Sequence, residues 1–212
     1  MSSADFHSFL LRARAFGAEA MPILRVIEGI DRRNYVDPSE ASLAYTNEML
    51  TLPCGQTTDR LDELVKLIAA ADIQRRHRVL EIGTGSGFTT AVLAALSERV
   101  VTVERYRSLL ETARSRLEVS DFGNVDFVHG DALDVGELPG TFDRVVSTVA
   151  LPNTLKVLLP KLAAGGIVIA PIDGSRGEAQ VLRLEKVGLR FERHVIGSGW
   201  FPPAETGVAA IL

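Results

Sequence analysis

Nine consecutive residues, Val79-Leu80-Glu81-Ile82-Gly83-Thr84-Gly85-Ser86-Gly87, constrain this chain more than any other stretch. A short, largely apolar strand runs straight into a glycine-rich turn. The turn feeds a helix expected to begin near Phe88 and to carry Ala91, Val92, Ala94, Ala95 and Leu96. A Cβ in such a turn would keep the backbone away from a ligand, and turns of this kind visit φ > 0. The free N–H groups at the helix start, backed by the helix dipole, attract anionic or strongly polar groups.

The spacing narrows the ligand. A dinucleotide fingerprint reads G-x-G-x-x-G, whereas this turn reads G-x-G-x-G and ends at Gly87. No Gly-Lys-Ser/Thr follows it, which excludes a Walker-type phosphate loop. Twenty-one positions after Gly83, the apolar run Arg99 to Val103 ends in Glu104. A carboxylate at the tip of a second strand can accept both hydroxyls of a ribose. Glu81 just before the first glycine and the Gly130-Asp131 pair after a third strand complete a set suited to a nucleoside. That set resembles the S-adenosylmethionine-dependent methyltransferases more than any dehydrogenase.

At 212 residues the chain holds one large domain, or one domain with a modest extension. The net charge of −4 provides no basic field for nucleic acid or an anionic membrane. No run approaches the roughly 18 to 20 apolar residues of a membrane span, and the N-terminus lacks a signal-peptide layout. One cysteine, Cys54, cannot form an internal disulfide, so a reducing cytoplasm is the expected setting. Cys54 has no partnering base nearby and reads as a small loop residue. His7, His77, His129 and His194 are scattered and suggest no metal set.

In chain order, helices are expected over about Ser3 to Phe16 and Ala20 to Arg32, with Gly17 between them. Met21 and Phe16 belong to core packing on this reading. Residues 1–54 form a helical cap on the main domain, and residues 55–212 form that domain. A turn-rich segment, Leu52 to Asp59, leads into an amphipathic helix carrying Leu61, Leu64, Val65, Leu67 and Ile68, with Asp59 or Thr58 at its N-cap. Strands follow, centred on Val79, Val101, Phe127, Val146, Val168, Leu182 and Phe191, with helices after the first, second and fourth. The helix after the second strand should run from about Tyr106 to Val119. The alternation predicts an α/β, doubly wound, mostly parallel seven-stranded sheet with its ligand at the C-terminal strand ends. The last two strands should pair as a hairpin around Val187-Gly188, reversing one strand at the end of the sheet.

Along most of its length the chain resembles the protein-L-isoaspartate O-methyltransferases. Gly55-Gln56-Thr57 matches a Gly-Gln-Thr segment of that family, and Val79 to Gly87 matches its glycine motif nearly letter for letter. Val103-Glu104-Arg105 matches the end of its second strand, and His129-Gly130-Asp131 its third-strand turn. Thr148 to Pro152 stands where the family carries Thr-Ala-Ala-Pro-Pro, and Asp31 to Val36 resembles its Pro-Arg-x-x-Phe-Val. The resemblance implies a Rossmann-like methyltransferase fold with an N-terminal helical extension. It also implies S-adenosyl-L-methionine as cofactor, S-adenosyl-L-homocysteine as product, and a protein or peptide as substrate. Its cofactor site maps onto Thr57, Thr58, Glu81, Gly83, Thr84, Gly85, Gly87, Glu104, Arg105, Asp131 and Ala132.

Two departures fall on the substrate side. The family continues Gly-Gln-Thr with Ile-Ser-x-Pro, its serine at the reacting centre; here Thr58-Asp59-Arg60-Leu61 puts Asp59 in the serine position. The family's aromatic-Val-Pro-Leu segment is replaced by Trp200-Phe201-Pro202-Pro203, which could form a cleft wall or a partner surface. Asp59 has two readings: a helix N-cap bound to the Asp62 and Glu63 amides, or a catalytic group facing the substrate. A substrate carboxylate needs no general base at neutral pH, and an anionic Asp59 would repel it, so a substrate-facing Asp59 suits a hydroxyl or amine nucleophile. The leading expectation is methylation of a protein carboxyl. The alternatives are a methyltransferase acting on another nucleophile with Asp59 as base, or an inactive cofactor-binding homologue. The oligomeric state is not legible.

Overall fold

The computed structural model describes residues 3–152, 155–172 and 178–209. Among the described residues, five α-helices and seven strands carry the fold: α1 (Ser3–Ala13), α2 (Met21–Gly29), α3 (Leu61–Ala71), β1 (Arg78–Ile82), α4 (Phe88–Leu96), β2 (Arg99–Glu104), α5 (Arg107–Val119), β3 (Val125–His129), β4 (Phe142–Ser147), β5 (Leu162–Ile172), β6 (Ala179–Val187) and β7 (Arg190–Gly199). The strands form one sheet in the order β3-β2-β1-β4-β5-β6-β7. β1 to β5 pair in parallel, and the order reverses between β1 and β4, which opens a crevice above their C-terminal ends.

Side chains alternate across the sheet with a period of two. Val79, Val100, Val146, Ile167 and Ile169 turn to one face, where they join α1 to α4 in one apolar cluster. Leu80, Ile82, Val101, Val103, Val145 and Val168 turn to the other, against Leu158 and Leu162. The N-terminal residues share the first cluster directly: Phe9, Ala13, Leu24 and Ile27 pack with Leu64, Ile68 and Val92. The 54/55 boundary drawn from the sequence cuts a turn whose arms are joined by Leu52 N–H to Gln56 O and Thr58 N–H to Leu50 O.

Several expectations need correction. The hairpin at Val187-Gly188 forms, with Gly188 at φ +61°, but the reversed strand is β6, second from the edge. β7 is antiparallel to β6 and so runs again in the direction of the parallel strands. After β4, where a helix was expected, two 3₁₀ turns, Leu155–Val157 and Leu159–Lys161, make the connection. Pro160 within the second removes an amide that an α-helix would use. The first two helices are shorter than their apolar patterns suggest. α1 gives way to a 3₁₀ turn at Arg14–Phe16 before Gly17 at φ +99°, and α2 ends at Gly29. Met21, expected in the core, is exposed.

Candidate active site

A cleft opens over the C-terminal ends of β1, β2 and β4. Its floor is the Gly83–Ser86 turn. Gly83 has φ +90°, and a Cβ there would lie 2.7 Å from the Thr148 hydroxyl. That hydroxyl donates to the Gly83 carbonyl at 3.0 Å, so the turn is tied to the end of β4. Gly85 has φ +51° and donates its N–H to one oxygen of Glu104 at 3.0 Å. The other Glu104 oxygen accepts the Tyr106 N–H at 3.0 Å. Two backbone amides therefore fix this nearly buried carboxylate at the tip of β2, with acceptor capacity left over on both oxygens.

The opposite wall is the segment Gln56–Asp59 together with Arg32. Thr58 is the hub: its hydroxyl accepts the Leu50 N–H at 3.0 Å and Arg32 Nη2 at 3.2 Å. Arg32 is only 1 % exposed. It donates further to the carbonyls of Ala44 at 2.7 Å and Asp59 at 2.9 Å, and lies over the Phe88 ring. Its Nε–H has no partner among the described residues. Burial lowers its pKa to about 10, so it remains a cation at neutral pH.

Asp59 is not a helix cap. The N-cap of α3 is Arg60, without a side-chain bond, and the Asp62 N–H donates to Asn47 Oδ1 at 3.1 Å. Asp59 lines the cleft instead. The residue is half-buried overall, but its carboxyl is enclosed, and that burial raises its pKa to about 7. The Arg32 charge opposes the rise and Glu63 adds to it.

Of the site residues read from the sequence, Thr57, Thr58, Asp59, Gly83, Thr84, Gly85, Glu104, Arg105 and Ala132 line the cleft. Glu81, Gly87 and Asp131 do not. Glu81 is fully buried, accepts the Thr90 hydroxyl at 2.6 Å, and has its second oxygen unpartnered. Burial, first of all, raises its pKa to about 8. Gly87, at φ +86°, sits where a Cβ would come 2.9 Å from the Ala113 Cβ, so it serves the contact of α4 with α5. Asp131 accepts the N–H groups of Leu133 at 2.7 Å and Gly207 at 2.6 Å. Trp200 to Pro203 divide by role: Trp200 is exposed, Phe201 is buried in the core, and both prolines line the cleft. His129 meets the Arg105 carbonyl at 3.1 Å, a structural contact.

The sequence reading did not name Arg32, Phe88 or Tyr106 as site residues, although all three line the cleft. The signal for Arg32 was present in the segment Asp31 to Val36. For the terminal segment the sequence reading offered Trp200 to Pro203 as a cleft wall or a partner surface; Pro202 and Pro203 do line the cleft, together with Ala204 and Glu205, which it did not name. Beyond it, Glu205 pairs with Arg105, Arg105 Nε donates to the Gly207 carbonyl at 3.1 Å, and the Ala209 N–H donates to the Arg105 carbonyl at 3.1 Å.

The family model of protein-L-isoaspartate(D-aspartate) O-methyltransferase matches residues 9–200. A protein-L-isoaspartate O-methyltransferase of Bradyrhizobium sp. (strain ORS 278) is 37 % identical over 204 residues, covering 96 % of this chain and 95 % of that one. The enzyme of the same name from Azorhizobium caulinodans is 36 % identical over 211 residues, covering 99 % and 96 %. Among solved structures, a Plasmodium falciparum protein described as a protein-L-isoaspartate O-methyltransferase, in complex with S-adenosyl-L-homocysteine, superposes with a TM-score of 0.79 at 18 % identity. It covers 93 % of this chain and 97 % of its own. Another structure of a protein-L-isoaspartate O-methyltransferase gives a TM-score of 0.83 at 21 % identity, covering 98 % of this chain and 67 % of its own.

Proposed function

We propose that this chain, which belongs to the protein-L-isoaspartate O-methyltransferase family and is a methyltransferase, uses S-adenosyl-L-methionine to methylate the free carboxyl of isoaspartyl residues in proteins and peptides. The observation that carries the cofactor assignment is Glu104. A carboxylate anchored by the amides of Gly85 and Tyr106, beside a floor that a Cβ at Gly83 would crowd, suits a pair of ribose hydroxyls. Thr57, Thr58, Thr84, Arg105 and Ala132 complete the proposed binding surface. When bound, the cofactor supplies a methyl group on a sulfonium centre.

The chain's own work is then to align an acceptor, exclude water and hold the acceptor's charge state. The Gln56–Asp59 wall, stiffened by Arg32, faces the floor and supports an acceptor between them. The acidic net charge favours a peptide over nucleic acid as substrate. Among the described residues no helix is long and apolar enough to cross a membrane. A second reading keeps the fold and cofactor but gives Asp59 the role of general base toward a hydroxyl or amine. Its support is the pKa of about 7, near the optimum for a base at neutral pH.

The test pairs calorimetric titration of the protein with S-adenosyl-L-homocysteine and methyl transfer to an isoaspartyl peptide, with the aspartyl peptide as control. Binding with turnover of the isoaspartyl peptide alone is the expected result. Binding without turnover transfers support to the second reading or to a non-catalytic role. Absence of binding removes the cofactor assignment.

A further inference from the structure

We propose that Asp59 receives the substrate carboxylate in its own protonated form, donating its hydroxyl hydrogen to one carboxylate oxygen and leaving the other free to take the methyl group. This rests on the isoaspartyl reading above and assigns Asp59 to substrate selection rather than to proton abstraction.

The geometry carries the argument. Arg32, the cation whose charge acts on Asp59, spends Nη1 on the Ala44 carbonyl and Nη2 on the Thr58 hydroxyl and the backbone carbonyl of Asp59. None of its bonds goes to the Asp59 carboxyl, and among the described residues no ion pair involves Asp59. Enclosure of the carboxyl is the main cause of its raised pKa; Arg32 opposes the rise and Glu63 of α3 adds to it, while Glu81 of β1, whose own pKa the Asp59 charge raises, keeps its proton near neutrality. Glu104 of β2 lies in the same cleft, where the charges of Arg105 and Glu205 offset each other. A carboxyl enclosed in this way titrates near 7, so about half the molecules carry its proton at neutrality.

An arriving carboxylate adds one more negative charge. Two carboxyl groups in contact retain one proton between them, and the apparent pKa of the pair rises. The shared proton makes a short, charge-assisted O–H···O⁻ bond of about 2.6 Å. The step then balances without proton transfer. A lone pair on the second substrate oxygen forms the new O–CH₃ bond, the methyl–sulfur bond breaks with its electron pair remaining on sulfur, and Asp59 keeps its hydrogen beside a neutral ester. A base at this position would require the opposite ionisation.

The first readout is binding rather than turnover. An isoaspartyl peptide is titrated calorimetrically into protein saturated with S-adenosyl-L-homocysteine at pH 8, in buffers of different ionisation enthalpy. The expected result is uptake of between half a proton and one proton per peptide bound, with no uptake by Asp59→Asn. The second readout is the pH profile of kcat/KM, expected to fall about tenfold per unit above pH 7 in the native protein. Asp59→Asn, and Asp59→Ser as a second uncharged donor, should be several-fold slower and flat over the same range. Proton release, uptake unchanged in both variants, or a rate that rises with pH would overturn the proposal. Turnover without proton uptake overturns it alone; peptide turnover absent at every pH, with the cofactor product bound, overturns the isoaspartyl reading and this proposal together.

Discussion

A carboxyl placed inside a sheet layer must find donors or keep its proton, and Glu81 does the second. It sits on β1 with its neighbours Leu80 and Ile82 turned to the opposite face, accepts the Thr90 hydroxyl of α4, and has the Thr102 hydroxyl of β2 beside it. Its pKa of about 8, raised chiefly by burial, lies far above the ordinary 4.5. Between those values the folded chain holds a proton that the unfolded chain has lost, so stability falls as pH rises from about 4.5 to about 8. Glu81→Gln removes the ionisable group and keeps an acceptor for Thr90. Denaturant unfolding of both proteins at pH 5 and pH 8 should show the native chain losing stability over this interval, and the variant losing less by a few kcal/mol. Parallel losses would show that Glu81 is ionised in the folded protein. Asp59, displaced in the same direction, leaves a residual slope in the variant. The sequence marked Glu81 as a nucleoside contact because it precedes the first glycine. Proximity along the chain could not reveal that strand alternation turns it toward Thr90 of α4 and leaves it out of the cleft lining.

At the level of elements, the glycine turn serves two neighbours at once. Gly83 and Gly85 shape the cleft floor, while Gly87 lets the start of α4 press on α5. A Cβ at Gly87 would meet Ala113 at 2.9 Å and Leu117 at 3.0 Å, with the backbone held at φ +86°. Gly87→Ala therefore combines a left-handed backbone penalty of about 1 kcal/mol with overpacking of about 1 to 3 kcal/mol. The expected loss is about 2 to 4 kcal/mol in denaturant unfolding, with S-adenosyl-L-homocysteine affinity changed less than threefold where the variant is folded. A large loss of affinity with little loss of stability would return Gly87 to the binding surface. The strands themselves were legible in the sequence, because alternation of buried residues is a local property. The order of the last two strands was not. A hairpin at Gly188 is encoded locally, but which of its arms pairs with β5 is decided by packing: β6 carries the buried Val181, Leu182 and Leu184, whereas β7 is exposed along nearly its whole length. The connection after β4 was misread for a related reason, since its apolar residues pack Leu158 and Leu162 on the sheet without a regular helix between them.

Across the whole molecule, the chain closes on its own cleft. Residues 202–204 run beside the end of β4, with the Ala150 N–H donating to the Pro202 carbonyl and the Ala204 N–H to the Ala150 carbonyl, each at 2.8 Å. From there the strap crosses to Arg105 and Asp131, spanning the ends of β2 and β3. Nothing in the local pattern of Pro202 to Val208 announces this course, because every partner lies about 50 to 100 residues earlier and is supplied by the finished sheet. The strap's ion pair of Glu205 with Arg105 is well exposed on the Glu205 side and so adds little to global stability, on the order of 0.5 kcal/mol. Its weight falls on the cleft rim. Glu205→Gln removes the pair while the Gly207 and Ala209 backbone bonds remain. The expected outcome is an unfolding free energy within about 0.5 kcal/mol of the native protein's. Association and dissociation of S-adenosyl-L-homocysteine should both be faster, by about threefold or more, in stopped-flow fluorescence using exposed Trp200 or an added probe. Because both rates rise together, the equilibrium affinity moves less than either. Unchanged rates would mean that the pair does not restrain the rim and that exchange passes another edge of the cleft; a fall in stability of 2 kcal/mol or more would instead make the strap part of the folded core.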